Sequence, residues 1–242
     1  MKLAKSIGRL GTETAFEVLA KAKKLEAQGK DIVHLEIGEP DFETPDHIKE
    51  AAKKALDDNF THYVPSPGLM EVREVIAEHQ SAVHNKNISP ENVVFTPGAK
   101  PIMFFTIMAL IEPGDEVIYP NPGFPIYESM INYVGGKAVP MELKEEKEFN
   151  ADVDLIEQSI TDKTKLIILN SPNNPCGSVM EPSDIKRVAD IAKEKDIVIL
   201  TDEVYKDLYF EGSHNSVYDY DDMEENVVIL DGFSKNTGYL IV

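Results

Sequence analysis

The sequence predicts a three-layer α/β/α domain built on a mostly parallel mixed sheet. Three observations carry that expectation. From residue 92 onward, strand-like and helix-like segments alternate, the order that produces a layered α/β domain with right-handed crossovers. Several strand candidates, KLIILN at 165–170 and DIVIL at 196–200 among them, are apolar almost throughout, as strands covered on both faces are. Glycines and prolines are scattered along the chain rather than gathered in one tract, so they read as turns between short elements.

The elements follow in order. Residues 14–28 predict a helix closed by Gly29. DIVHLEIGEPDF, 31–42, predicts a short strand running into a turn. Thr44 followed by Pro45 reads as an N-cap and first helical position for a helix reaching about Asp58. THYVPSPG is a loop. Residues 69–84 predict an amphipathic helix with Leu69, Val72, Val75, Ile76 and Val83 on its apolar face. NVVFTPG predicts a strand and glycine turn, and AKPIMFFTIMAL a buried helix that tolerates Pro101 in its first turn. Strands are expected at EVIYP, KAVPM, KLIILN, DIVILTDEVY, NVVILDGFS and GYLIV, with helices at YESMINYVG, 152–160 and 182–195. The acidic run from Asp219 to Glu225 reads as a solvated loop.

A chain of 242 residues suffices for a large domain that buries roughly 70% of its extended surface. Its net charge of −19 disfavours nucleic acid and anionic membranes as partners, while leaving room for a locally positive site. Cys176 is the only cysteine, which excludes an internal disulfide and suits a reducing compartment. No signal-like apolar run opens the sequence and no window approaches a membrane span, so the cytoplasm is the expected location. No metal-ligand pattern is expected.

In open α/β sheets, ligands bind beyond the carboxyl ends of the strands. Four such ends are polar or glycine-rich. TPGAK, at 96–100, presents backbone N–H groups and a helix N-terminus to an anion; an ordinary strand–helix turn is the competing reading. NSPNNPCG, at 170–177, offers the Asn174 amide to a ligand oxygen, against a rigid loop whose asparagines cap their own backbone. TDEVY places Asp202 at the mouth of a buried sheet, where a carboxylate needs a partner such as a protonated ring nitrogen, with Tyr205 three residues on; the alternative is a helix cap. DGFSK puts Lys235 where an amine can attack a carbonyl, although a lone lysine is by composition a surface residue. One ligand satisfies all four ends: a phosphate near Gly98, a cationic ring nitrogen at Asp202, a phenolic oxygen at Asn174 and Tyr205, an aldehyde at Lys235, and an aromatic face at Phe124. Pyridoxal phosphate has these groups.

Taken together, these motifs resemble the class I/II aminotransferases, the aspartate aminotransferase superfamily of fold-type I pyridoxal phosphate enzymes, over nearly the whole chain from about residue 10. EIGEPDFETPDHIKEAA is similar to the family's N-terminal signature, which implies Gly38 near the substrate carboxylate. THYVPSPGLMEVREVIAEH resembles the segment whose tyrosine, here Tyr63, reaches the neighbouring subunit's cofactor phosphate. The resemblance further implies phosphate contacts at Gly98, Ala99 and Lys100, ring stacking by Phe124, and the phenolic oxygen held by Asn174 and Tyr205. Asn174 is also expected at the substrate. Asp202 is expected at the pyridine nitrogen, Ser234 among the cofactor contacts and Lys235 as the Schiff-base lysine. Lys235, Asp202 and Tyr205 form the expected catalytic set. The implied activity moves an amino group between an amino acid and a 2-oxo acid, in a homodimer. Alternatives are a lyase or synthase reaction on the same scaffold, or a non-catalytic protein of this fold.

Two departures stand out. SKNTGYLIV runs almost directly from Lys235 into the next strand candidate, without the arginine and tryptophan the family usually carries there. The implied domain plan is an N-terminal segment and small-domain-like arm over 1–45 and an incomplete cofactor-binding large domain over 46–242, the C-terminal small domain lying outside this sequence.

Overall fold

A computed structural model describes residues 2–11 and 14–238. Its centre is a five-stranded sheet of β1 (Glu116–Asn121), β2 (Lys137–Glu142), β3 (Thr164–Asn170), β4 (Val198–Asp202) and β5 (Val227–Leu230). The spatial order is β2-β1-β3-β4-β5, with every pair parallel. Parallel neighbours need crossovers, and helices supply most of them. The helices are α1 (Thr14–Glu26), α2 (Asp46–Asp57), α3 (Met70–His84), α4 (Lys100–Leu110), α5 (Ile126–Val134), α6 (Val153–Ser159), α7 (Pro182–Lys195) and the short α8 (Phe233–Asn236).

Side chains alternate across a strand, so β3 and β4 feed two separate cores. Ile167, Leu169 and Ile199 pack with Val153, Ile156, Ile185 and Val188 of α6 and α7. Leu166, Ile168 and Leu200 pack with Met103, Ile107, Tyr127 and Ile131 of α4 and α5. Helices on both faces of the sheet make the three expected layers, and explain why these strands are apolar on both sides. The parallel register brings the strand ends level: Asn170 pairs across from Asp202, and Asp202 from Leu230.

Several expectations change. Residues 31–42 form no strand: Val33 and Leu35 are 82% and 91% exposed, and the segment meets no neighbouring strand among the described residues. NVVFTPG forms none either; Phe95 N–H reaches Pro67 O at 2.9 Å, but no ladder develops and Val94 is exposed. GYLIV falls largely on 239–242, outside the described residues. Thr44 does not cap α2. Pro45 occupies the cap position, while Thr44 Oγ1 donates to Gly238 O at 2.7 Å. On α3 the buried residues are Arg73, Ala77 and His84, whereas Val75 and Val83 are exposed. Arg73 turns inward because its Nε donates to the Val93 and Pro90 carbonyls at 2.9 and 3.1 Å.

The acidic run from Asp219 is an anchored segment rather than a freely solvated loop. Asp219 pairs with buried His84 at 2.7 Å, Glu224 with Lys86 at 2.6 Å and Asp222 with Lys193 at 2.7 Å, and Met223 is buried in the α6–α7 core. Among the described residues no helix is long and apolar enough to cross a membrane.

Burial predicts where stability resides. Ile199→Ala, in the middle of β4 with no exposed surface, is expected to lower unfolding free energy by about 2–5 kcal/mol in urea titrations. Val75→Ala on the exposed side of α3 should stay within about 0.5 kcal/mol of the parent. Equal losses would contradict the assignment of the buried face.

Candidate active site

The carboxyl ends of β1, β3, β4 and β5 open toward one side of the sheet, and the turns that follow them carry the polar groups. After β1 the chain bends through Gly123, where a Cβ would lie 2.2 Å from the Pro120 carbonyl oxygen; only glycine fits, and the bend delivers Phe124 and then α5. Phe124 meets Tyr127 edge-to-face with centroids 5.9 Å apart, and Lys100 Nζ lies 5.9 Å from the Phe124 ring centre.

After β3, Asn170 ties two loops together. Its Nδ2 donates to the Asp202 carbonyl at 3.0 Å, and its Oδ1 accepts from the Asn174 N–H at 2.8 Å. Asn174 Nδ2 in turn donates to the Tyr205 hydroxyl at 3.2 Å, so the two residues predicted to share a ligand oxygen already touch. Burial, followed by the charge of Asp202, holds the Tyr205 phenol above its ordinary pKa, with the Asn174 contact working the other way.

Asp202 ends β4 at 3% exposure. Its Oδ2 accepts from the Tyr127 hydroxyl and its Oδ1 from the Val204 N–H at 3.3 Å. No lysine, arginine or histidine bonds to this carboxylate among the described residues. Burial pushes its pKa from 3.8 up to about 6; the Tyr127 and Val204 hydrogen bonds oppose that rise, while Glu203 and Asp231 add to it. Glu203, fully buried beside it, is by contrast well served: Thr201, Ser216 and His214 contact its oxygens at 3.0, 2.5 and 2.8 Å.

After β5, Asp231 accepts from Lys206 Nζ at 2.5 Å, from Gln80 Nε2 at 3.1 Å and from the Gly232 N–H at 2.7 Å. That clamp fixes the turn from which α8 projects Lys235. Its Nζ donates to Gly38 O at 3.1 Å and lies 5.7 Å from the Tyr205 ring centre. Partial burial lowers the amine's pKa, and Glu39 acts in the opposite sense. Ser234 sits half-buried beside it on α8.

At the start of α4, Gly98 has φ +85° with open space where a Cβ would be, Thr96 Oγ1 donates to Gly98 O at 2.6 Å, and no side chain caps the helix. Ala99 approaches Gly232 closely enough that a Cβ on the glycine would lie 3.7 Å from the Ala99 Cβ, so the α4 turn and the Lys235 turn are neighbours. Tyr63 is fully exposed on its loop. Sequence reasoning missed three residues. Tyr127 carried a signal, three positions beyond Phe124 at the start of a helix. Asn170 and Asp231 open the NSPNNPCG and DGFSK motifs, but the residues that follow them drew the functional reading.

This is the strand-end site of a parallel α/β protein, with a lysine, a buried carboxylate and a glycine turn that opens a helix. The chain belongs to the family Aminotransferase class I and II, which it matches over residues 30–240. It is 42% identical over 214 residues to a probable aspartate aminotransferase of Methanocaldococcus jannaschii, covering 87% of this chain and 56% of that protein. It is 36% identical over 233 residues to a (5-formylfuran-3-yl)methyl phosphate transaminase of the same organism, covering 96% and 60%. An aspartate aminotransferase structure from Thermus thermophilus with maleate superposes with a TM-score of 0.93 at 35% identity, covering 98% of this chain and 62% of that one. The chain thus spans between half and two thirds of these proteins' lengths.

The environment of Asp202 has a measurable cost. A carboxyl whose pKa is raised on folding favours the folded state while protonated, and that advantage is lost as pH rises from about 4 through about 6. Asp202→Asn keeps the shape and an acceptor for Tyr127 without the charge. Above pH 7 the variant is expected to be more stable than the parent, by up to about 3 kcal/mol, with the gap closing toward pH 4. Urea titrations across that range check it; an asparagine variant less stable at pH 8 would contradict it.

Proposed function

We propose that this chain is the cofactor-binding part of a pyridoxal phosphate-dependent aminotransferase that moves an amino group between an amino acid and a 2-oxo acid. The observation that carries the reading is Asp202, a buried carboxylate with no cationic partner among the described residues, on the same side of the sheet as an amine of lowered pKa. The residues present suit the cofactor. Asp202 receives the cationic ring nitrogen, Asn174 and Tyr205 the phenolic oxygen, and Phe124 the ring face. The open Gly98 turn, with Ala99, Lys100 and Ser234, receives the phosphate, for which a helix N-terminus is favourable.

When bound, pyridoxal phosphate supplies an electron sink for a carbanion at the amino acid's α-carbon. The protein supplies the rest. Lys235 would hold the cofactor through its amine, and the same amine is placed to take the α-proton as general base; partial burial favours the neutral amine both roles need. Asp202 keeps a proton on the ring nitrogen by supplying the opposite charge. Gly38, whose carbonyl already accepts from Lys235, and Asn174 border the substrate.

Within this reading, residues 1–45 are an N-terminal segment and 46–242 the cofactor-binding domain, in a cytoplasmic enzyme. Tyr63, fully exposed on its loop, supports a homodimer in which each copy completes the other's phosphate contacts. The exposed Phe105 and Met108 of α4 are consistent with a covered face in that assembly.

Added pyridoxal phosphate is expected to give a visible absorbance band that borohydride removes, leaving a reduced adduct that peptide mass analysis locates on Lys235. Lys235→Ala should form none. An adduct elsewhere, or none at saturating cofactor, would overturn the assignment. Amino-group exchange is expected with a panel of amino acids and 2-oxoglutarate; elimination or condensation products without exchange would favour a lyase or synthase instead.

A further inference from the structure

Tyr127 has no exposed surface, and a buried phenol needs one acceptor. The acceptor is not a backbone carbonyl but Oδ2 of Asp202. The hydroxyl is the only side-chain donor to that carboxylate among the described residues. The other contact, from the Val204 N–H to Oδ1, is long at 3.3 Å. The Tyr127 ring is fixed in turn: edge-on to Phe124 at 82°, packed within the α4–α5 core, and placed by its own N–H bonding to Phe124 O at 3.1 Å. One turn of chain therefore sets both an aromatic face and the orientation of the carboxylate.

We propose that Tyr127 is a positioning residue, whose hydroxyl holds Asp202 in one orientation and favours its charged form, so that the carboxylate is ready for a cationic ring nitrogen. The proposal rests on the cofactor reading above and adds a residue to it. The electrostatic surroundings make the role necessary. Glu203 follows Asp202 just beyond the end of β4 and Asp231 lies just beyond the end of β5, both disfavouring the charge. Lys206 is committed to Asp231 and His214 to Glu203. Tyr205 lies nearby without bonding to the carboxylate, its hydroxyl accepting from Asn174, and Asn170 bonds only the Asp202 backbone carbonyl. What opposes burial at Asp202 is the Tyr127 hydroxyl first and the Val204 N–H second.

The test is a carboxylate titration by ¹³C NMR on the unloaded full chain, labelled at aspartate Cγ, with Asp202→Asn to assign the resonance. In Tyr127→Phe, which keeps the ring and its packing, the Asp202 midpoint is expected to rise by about one pH unit or more. With pyridoxal phosphate added, the low-pH limit of cofactor retention should move up in parallel, and adding Tyr127→Phe to Asp202→Asn should move it no further. A measurement on the parent chain guards against a variant that does not fold: the Tyr127 ¹³Cζ resonance should follow the Asp202 midpoint. An unmoved midpoint in folded Tyr127→Phe, or a Tyr127 resonance flat through that range, overturns the proposal while an adduct at Lys235 leaves the cofactor reading intact. No adduct at Lys235 in the parent removes the cofactor reading, and the role assigned to Tyr127 with it.

Discussion

A carboxylate at the end of a strand covered on both faces has few ways to remain charged. Water is excluded, and the protein must either neutralise the group or surround it with donors. Asp202 is in that position, and the site is organised around it. The β3–β4 register sets Asn170 opposite Asp202, and the Asn170 amide binds the Asp202 carbonyl while its oxygen holds the loop that carries Asn174. The β4–β5 register sets Leu230 on the other side, one residue before the Asp231 clamp from which Lys235 projects. Moving β4 by one residue would turn Asp202 to the opposite face and separate all of these.

Two neighbouring acids illustrate how differently the fold treats buried charge. Glu203 has three side-chain partners, including His214, and its pKa is lowered despite full burial. Asp202 has one, and its pKa is raised. Glu203 thus belongs to the architecture, anchoring the 214–219 segment through Ser216, while Asp202 is held by the Tyr127 hydroxyl and the Val204 N–H without a cation among the described residues. Groups kept at an energetic disadvantage in the free protein are common where ligands bind, and here the disadvantage is confined to one side chain within a well-bonded frame.

The central layers were legible because their signals are local and repeated: apolar runs covered on both faces and helical periodicity. The outlying strands were not, because NVVFTPG and DIVHLEIG have strand composition, yet a strand exists only where a partner ladder forms, and composition does not reveal a partner. The face of α3 was read only in part: Leu69, Val72 and Ile76 are half-buried as the apolar spacing predicts, while Val75 and Val83 are exposed and Arg73 gained two carbonyl acceptors by turning inward. Lys235, Asp202, Asn174, Tyr205, Phe124 and the Gly98 turn were proposed from strand ends and motif order, and the fold sets them at or beyond the carboxyl ends of the strands. Tyr127, Asn170 and Asp231 act through other residues, and nothing in their own types announces a bond formed across the sheet.

The most direct test of the central claim is the crystal structure of this chain grown with saturating pyridoxal phosphate. The account predicts continuous density from Lys235 to a ring against Phe124, with the ring nitrogen at Asp202 and the phosphate at the Gly98–Lys100 turn. A ring bound with its nitrogen away from Asp202, or Asp202 still without a cation while cofactor occupies another surface, would contradict it.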